Sequence, residues 1–225
     1  MQQPIFSELE SELSSYKLYL INKYLEMLNP ASNSPKDELE LLEEFLNFFT
    51  THQDRHNHYV EYMICLRSYI LLSHAAIEEF IEKTAKYYLE QSITLHNQSK
   101  KINSTLKWFI LKSDIKDKKF KDKNFDEILK TIKDEYFEEI NENHGIKKHN
   151  LEKIYSRIGI ETITYEVFES LGKMRGNFAH NNGKSAHLAL KITTPLNPQE
   201  CVKLVEDVLT MIKSEIIEVL SKDIV

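Results

Sequence analysis

Apolar residues along this chain return at every third or fourth position far more often than at every second, which is the spacing of a helix face rather than a strand. From Ser7 to Leu28 that face holds Leu9, Leu13, Tyr16, Leu20, Tyr24 and Leu28, before Asn29-Pro30 and Asn33-Ser34-Pro35 interrupt it. A shorter helix is predicted from about Lys36 to Phe49. The strongest pattern runs from about Tyr59 to Glu90, with Tyr62, Leu66, Tyr69, Ile70, Ser73, Ile77, Phe80 and Ile81 turned inward. Lys100 to Lys112 and Asp126 to Asn141 read as two further helices around a charged connection, and Asn150 to Ile158 as a short amphipathic piece closed by Gly159.

The next stretch carries the chemistry. Ile163, Val167, Leu171, Met174 and Phe178 form one apolar stripe, with Thr164 placed to cap the helix and Asn181 to Gly183 to stop it. On that register Gly172, Gly176 and Ala179 fall on the opposite side, flanked by Arg175 and His180. Interior glycines each cost about 1 kcal/mol relative to alanine. Their four-residue spacing opens a shallow groove, suited to a packed helix or to a sugar-phosphate strand. After an irregular stretch with a short extended piece at Leu188 to Thr193, Asn197 caps a last helix. There Pro198 stands first and Glu200 third, as in a capping box, and Val202, Val205, Val208, Leu209, Ile212, Ile216 and Val219 form the apolar face.

With only five glycines and five prolines in 225 residues, long helices with short connections follow, and the fold class is all-α. The length suits one core domain over residues 51–225 with an N-terminal helical extension, residues 1–50, packed on or near it. A net charge of −6 argues against a surface that coats nucleic acid generally, while leaving room for a local basic site. The Lys112 to Lys130 run also holds Asp114, Asp117, Asp122 and Asp126, so it reads as a solvated mixed-charge loop. Cys65 and Cys201 are too isolated for a disulfide framework or a zinc site. The N-terminus lacks the pattern of a signal peptide, and no segment reaches the roughly 18 apolar residues of a membrane helix. The expectation is a soluble, cytoplasmic protein with no membrane partner.

Several polar groups remain. His52, His56 and His58 cluster in a strongly polar segment without a third-ligand pattern, so neither metal nor cofactor is expected. Arg67, His74 and Glu78 share a side of the long helix, as a surface ion-pair row or as support for a site. His144 and His149 flank Gly145-Ile146-Lys147-Lys148, an exposed loop able to touch phosphates. No phosphate-cradling glycine loop and no serine elbow is present. Arg175 and His180 together offer a permanent cation and an imidazole that titrates near neutrality, which is the equipment needed to cleave a phosphodiester. The spacing alone is weak.

The local string Met-Arg-Gly-Asn-Phe-Ala-His, with Arg175 and His180, resembles the Arg-x4–6-His hallmark of the HEPN superfamily, nearest its RiboL-PSP-HEPN branch. Leu71 to Phe80, with its acidic Glu78, is similar to the family's early helix, and Asn150 to Ile160 to the segment before the motif helix. Gly176 stands where members commonly carry Asn or another polar residue, with Asn177 one position later. The resemblance implies a helical bundle that dimerises so that two motifs share one cleft. It implies metal-independent endoribonuclease activity in active members and scaffolding or RNA binding in inactive ones. Arg175 and His180 would be catalytic, with Asn177 on sugar or phosphate, Glu78 orienting Arg175 and His74 in support. RNA is then the substrate, in a toxin or antiviral-defence setting with a possible antitoxin or defence partner. The alternatives are a non-catalytic dimer that binds RNA, nucleotide or a protein, and a structural helical domain of a larger assembly.

Overall fold

The computed structural model describes residues 3–28, 56–113, 115, 120–161, 163–181 and 197–222, with backbone alone for residues 3–5, 24–28, 56–62, 180 and 181. The helices predicted at 36–49 and the extended piece at 188–193 lie outside them, as do the side chains of the His52, His56 and His58 cluster. Among the described residues every regular element is helical, which makes the chain all-α.

The spine is α2 (His56–Ser99), longer at both ends than its apolar pattern predicts. It buries Leu66, Tyr69, Ile70, Ile77, Phe80, Ile81, Tyr88 and Leu89, a stripe wide enough to take partners on several sides. Packed on it are α1 (Gln3–Leu28), which reaches past its midpoint, α6 (Tyr165–Asn181) and α7 (Pro198–Met211). Phe6 of α1 meets Phe80 edge-on at 6.0 Å between ring centroids. The C-terminal half of α2 carries α3 (Ser104–Lys112), α4 (Phe125–Asn141) and α5 (Lys148–Tyr155). Two buried tyrosines join these layers through main-chain carbonyls. The Tyr136 hydroxyl donates to Ile154 O at 2.6 Å, and that of Tyr155 to Ile81 O at 3.2 Å. Arg157 spans the Phe109 and Tyr136 rings and donates to Glu139 at 2.6 Å, in the turn that left-handed Gly159 (φ 91°) closes against Trp108.

Three end effects depart from the sequence pattern. α4 begins one residue earlier than predicted, because Asn124 and Glu127 form a complete capping box. At α7 only half of that motif is made: Asn197 accepts from Gln199 N at 2.9 Å. Beyond Met211 the backbone runs through a π-helical turn, Ile212–Ile217, into α8 (Glu218–Ser221). The wider turn advances the register by one residue, so Leu220 is buried and Val219 is exposed.

The π turn also places Glu215. Thr164 does not cap α6 through its oxygen; its hydroxyl and its N–H both donate to the Glu215 carboxylate, each at 2.5 Å. A fixed anion thus stands at the start of α6, where the helix dipole favours it. Glu215→Ala is expected to cost about 1–2 kcal/mol, the range for charge-assisted hydrogen bonds at a helix start, read as a lower urea midpoint. A midpoint within error of the parent would show that α6 is held elsewhere.

Candidate functional site

The buried face of α6 is not the one its apolar stripe suggests. Phe168 and Leu171 are fully buried, Gly172 is buried with them, and Phe178 follows, whereas Val167 and Met174 are only half-buried flanks. Phe168, Gly172, Arg175 and Ala179 follow one another at steps of four, three and four residues, so they lie along one side of the helix. Arg175 therefore stands in line with the core-facing Phe168, on the side that packs toward α2, and is solvent-exposed. The expected arrangement, with the glycines opposite the core, is overturned by burial of Phe168 and Gly172.

The two glycines do different things. A Cβ at residue 172 would lie 2.9 Å from Lys147 Cγ and 3.3 Å from its Cε, so the lysine stem crosses α6 there. At residue 176, which is half-buried, a Cβ would meet nothing within 4 Å among the described residues. Asn177 is exposed, two residues past Arg175 and so on another side of the helix. His180 lies on the last turn of α6, and its side chain falls outside the described residues.

Across from Arg175, α2 contributes His74 and Glu78. His74 is 3% exposed, so the Arg67–His74–Glu78 row is no solvated ladder. Glu78 accepts the Gly145 N–H, and its other oxygen lies 3.5 Å from His74 Nδ1. Its carboxylate is thereby committed to the α4–α5 connection; no ion pair to Arg175 forms among the described residues. The same connection is braced by buried Asn143, whose amide donates to Gly145 O at 3.0 Å and to Glu82 at 3.3 Å. Gly145 adopts φ 120°, a conformation side chains resist, and Ile146 is fully buried. The expected exposed loop does keep His144, Lys148 and His149 at the surface, but it is clamped at Gly145 and Ile146 and delivers Lys147.

Burial, then repulsion from Arg175 and Lys147, lowers the His74 pKa to about 4. His74 is thus neutral at pH 7, beneath two cations. Burial and the nearby Glu78 charge raise Glu82, against the Asn143 hydrogen bond and the Lys86 and His144 charges. Arg67 stacks over the Phe178 ring at 5.6 Å, and its buried Nε has no hydrogen-bond partner among the described residues. No group of three or more His, Cys, Asp or Glu able to hold a metal occurs among the described residues. Lys147 was read from the sequence only as part of a loop able to touch phosphates, not as a neighbour of α6. Its signal was Gly172, an interior helical glycine that needed a neighbour.

A family model described as RiboL-PSP-HEPN matches residues 33–221 of the chain. No curated protein and no solved structure matches it significantly.

Gly176→Ala is expected to raise stability by about 0.5–1 kcal/mol, because the added methyl meets nothing and helical glycine is costly. Gly172→Ala should gain less or lose, since its methyl displaces Lys147. Equal gains in thermal denaturation would contradict this division. For His74, the unfolded chain takes up a proton near pH 6.5 but the folded chain only near pH 4. Stability contributed by neutral His74 is thus fully present above about pH 6.5 and lost as pH falls toward 4. In urea unfolding, His74→Gln should flatten the wild-type decline between pH 6.5 and 4.5; parallel curves would refute the shift.

Proposed function

This chain belongs to the RiboL-PSP-HEPN family, and on that footing we propose that it is a metal-independent endoribonuclease working as a homodimer. The observation that supports this most is Arg175. It is exposed on the same helix as His180, beside Gly176, where a Cβ would meet nothing within 4 Å, and has no carboxylate partner among the described residues.

RNA carries its own nucleophile, so the protein has to supply a base, an acid and a cation. The 2′-oxygen attacks phosphorus as a base takes its proton; the bond to the 5′-oxygen breaks as an acid protonates that oxygen. The products are a 2′,3′-cyclic phosphate and a 5′-hydroxyl. His180, as an imidazole that can both take and give a proton, fits the base or acid role. The Arg175 guanidinium fits the charge developing on the phosphoryl oxygens, in a bidentate fork. Asn177, exposed on another side of α6, is assigned to sugar or phosphate contacts of the strand. His74 and Glu78 are assigned as supports: one stays neutral under the cations, the other fixes the connection that faces them.

A five-residue helical step advances about 7.5 Å and turns about 140°. Within one copy the two motif positions diverge, and a second copy across a shared cleft supplies the complementary group. A toxin or antiviral-defence role, with an antitoxin or defence partner, is the setting this chemistry would serve. No described helix is long and apolar enough to cross a membrane.

Purified protein incubated with labelled RNA in EDTA should yield cyclic-phosphate ends, and DNA of the same sequence should stay intact. Arg175→Ala should slow scission about 10²–10³-fold, the range for removing one transition-state donor, and His180→Ala at least as much. Scission by His180→Ala at the parent rate would end this reading. RNA bound but uncut by the parent would select the non-catalytic dimer.

A further inference from the structure

The clamped connection between α4 and α5 makes one residue unusual. Lys147 is held from both sides by main-chain contacts that a merely solvent-facing lysine would not need. Two residues before it, Gly145 N–H is bound by Glu78 of α2, and Ile146 is sunk in the core. One residue after it, Lys148 N–H donates to Glu169 of α6 at 2.9 Å. Between these anchors the Lys147 stem lies in the space left by Gly172, three residues and about one helical turn before Arg175. Lys147 is half-buried, and among the described residues no carboxylate pairs with it or with Arg175. One cation thus lies across α6 at Gly172 and the other stands one turn on at Arg175, with no carboxylate partner for either among the described residues.

Resting on the reading of this site as an RNA site, we propose that Lys147 is its second phosphate-binding cation. It is carried across Gly172 so that it and Arg175 grip neighbouring phosphates of one strand. The lysine acts as a point charge on a seated stem, complementing the planar fork of the arginine. Both cations repel a proton from buried His74, which places their charges on a common centre from two different elements. The seat has a chemical reason. A free surface lysine loses side-chain entropy on binding; one already laid along α6 loses less.

The test uses a single-stranded 2′-O-methyl RNA, which binds but has no nucleophile, so that affinity is read apart from scission. Lys147→Met keeps the stem and removes the charge, Lys147→Arg keeps the charge, and Gly172→Ala keeps the lysine but blocks its seat. Each phosphate neutralised on a single strand contributes about 0.7 to the slope of log K against log salt. Lys147→Met should lower that slope by about 0.7, with weaker binding, and Lys147→Arg should restore it. Gly172→Ala should weaken binding in the parent but add nothing in the Lys147→Met background, since the two share one contact. An unchanged slope in Lys147→Met, additive effects in the double variant, or no binding by the parent would overturn the proposal. A changed oligomeric state with the slope intact would assign Lys147 to an interface and overturn it too. The nuclease reading fails separately, if unmodified RNA remains uncut while these binding effects appear.

Discussion

The hydrogen bond from Gly145 N–H to the Glu78 carboxylate is the constraint on which the site's arrangement depends. It ties the connection between α4 and α5 to the middle of α2, and four consequences follow from that one tie. Gly145 must take a left-handed backbone, which a side chain would resist. Ile146 is drawn into the core. Lys147 is turned onto α6. Glu78, satisfied by this donor and by His74, is no longer available to neutralise Arg175. An anion inside the fold is thus held by a main-chain amide, and among the described residues the two cations at its edge have no carboxylate partner.

That arrangement reconciles an acidic protein with a proposed RNA site. The net charge of −6 is a property of the whole surface, and exposed pairs such as Lys83–Glu79 and Lys203–Asp207 are worth little in water. What a strand would meet is local: Arg175, Lys147 and the helix backbone at Gly176, above a histidine held neutral by burial. Attraction confined to a small patch of an otherwise acidic body favours one approach over general adhesion.

Much of this was legible in the sequence, and the misses share a cause. Helical periodicity located the helices because each has an apolar face, and Asn197-Pro198 marked the start of α7 correctly. Arg175 and His180 were singled out from residue chemistry, and the structure describes the side chain of Arg175 alone. The errors came where one position depends on a distant one. Phe168 was left off the α6 stripe because Val167 and Met174 formed a tidy pattern without it; only packing against α2 makes its side the deeper one. Gly172 and Gly176 looked equivalent, and a lysine from another connection separates them. The π turn is invisible to a fixed helical period, so Val219 was placed inside and Leu220 out. The family resemblance had Glu78 orienting Arg175, whereas among the described residues its carboxylate accepts the Gly145 amide.

The position of the polar cluster along α2 has one more consequence. His74, Glu78 and Glu82 sit at the centre of a helix running from His56 to Ser99, with about five turns on either side. Fraying starts at helix ends and dies out within a few residues, so unzipping at either terminus leaves this stretch wound. Thermal loosening of the extremities, or a partner peeling back one end, would leave the charged constellation at its original spacing until α2 itself melts.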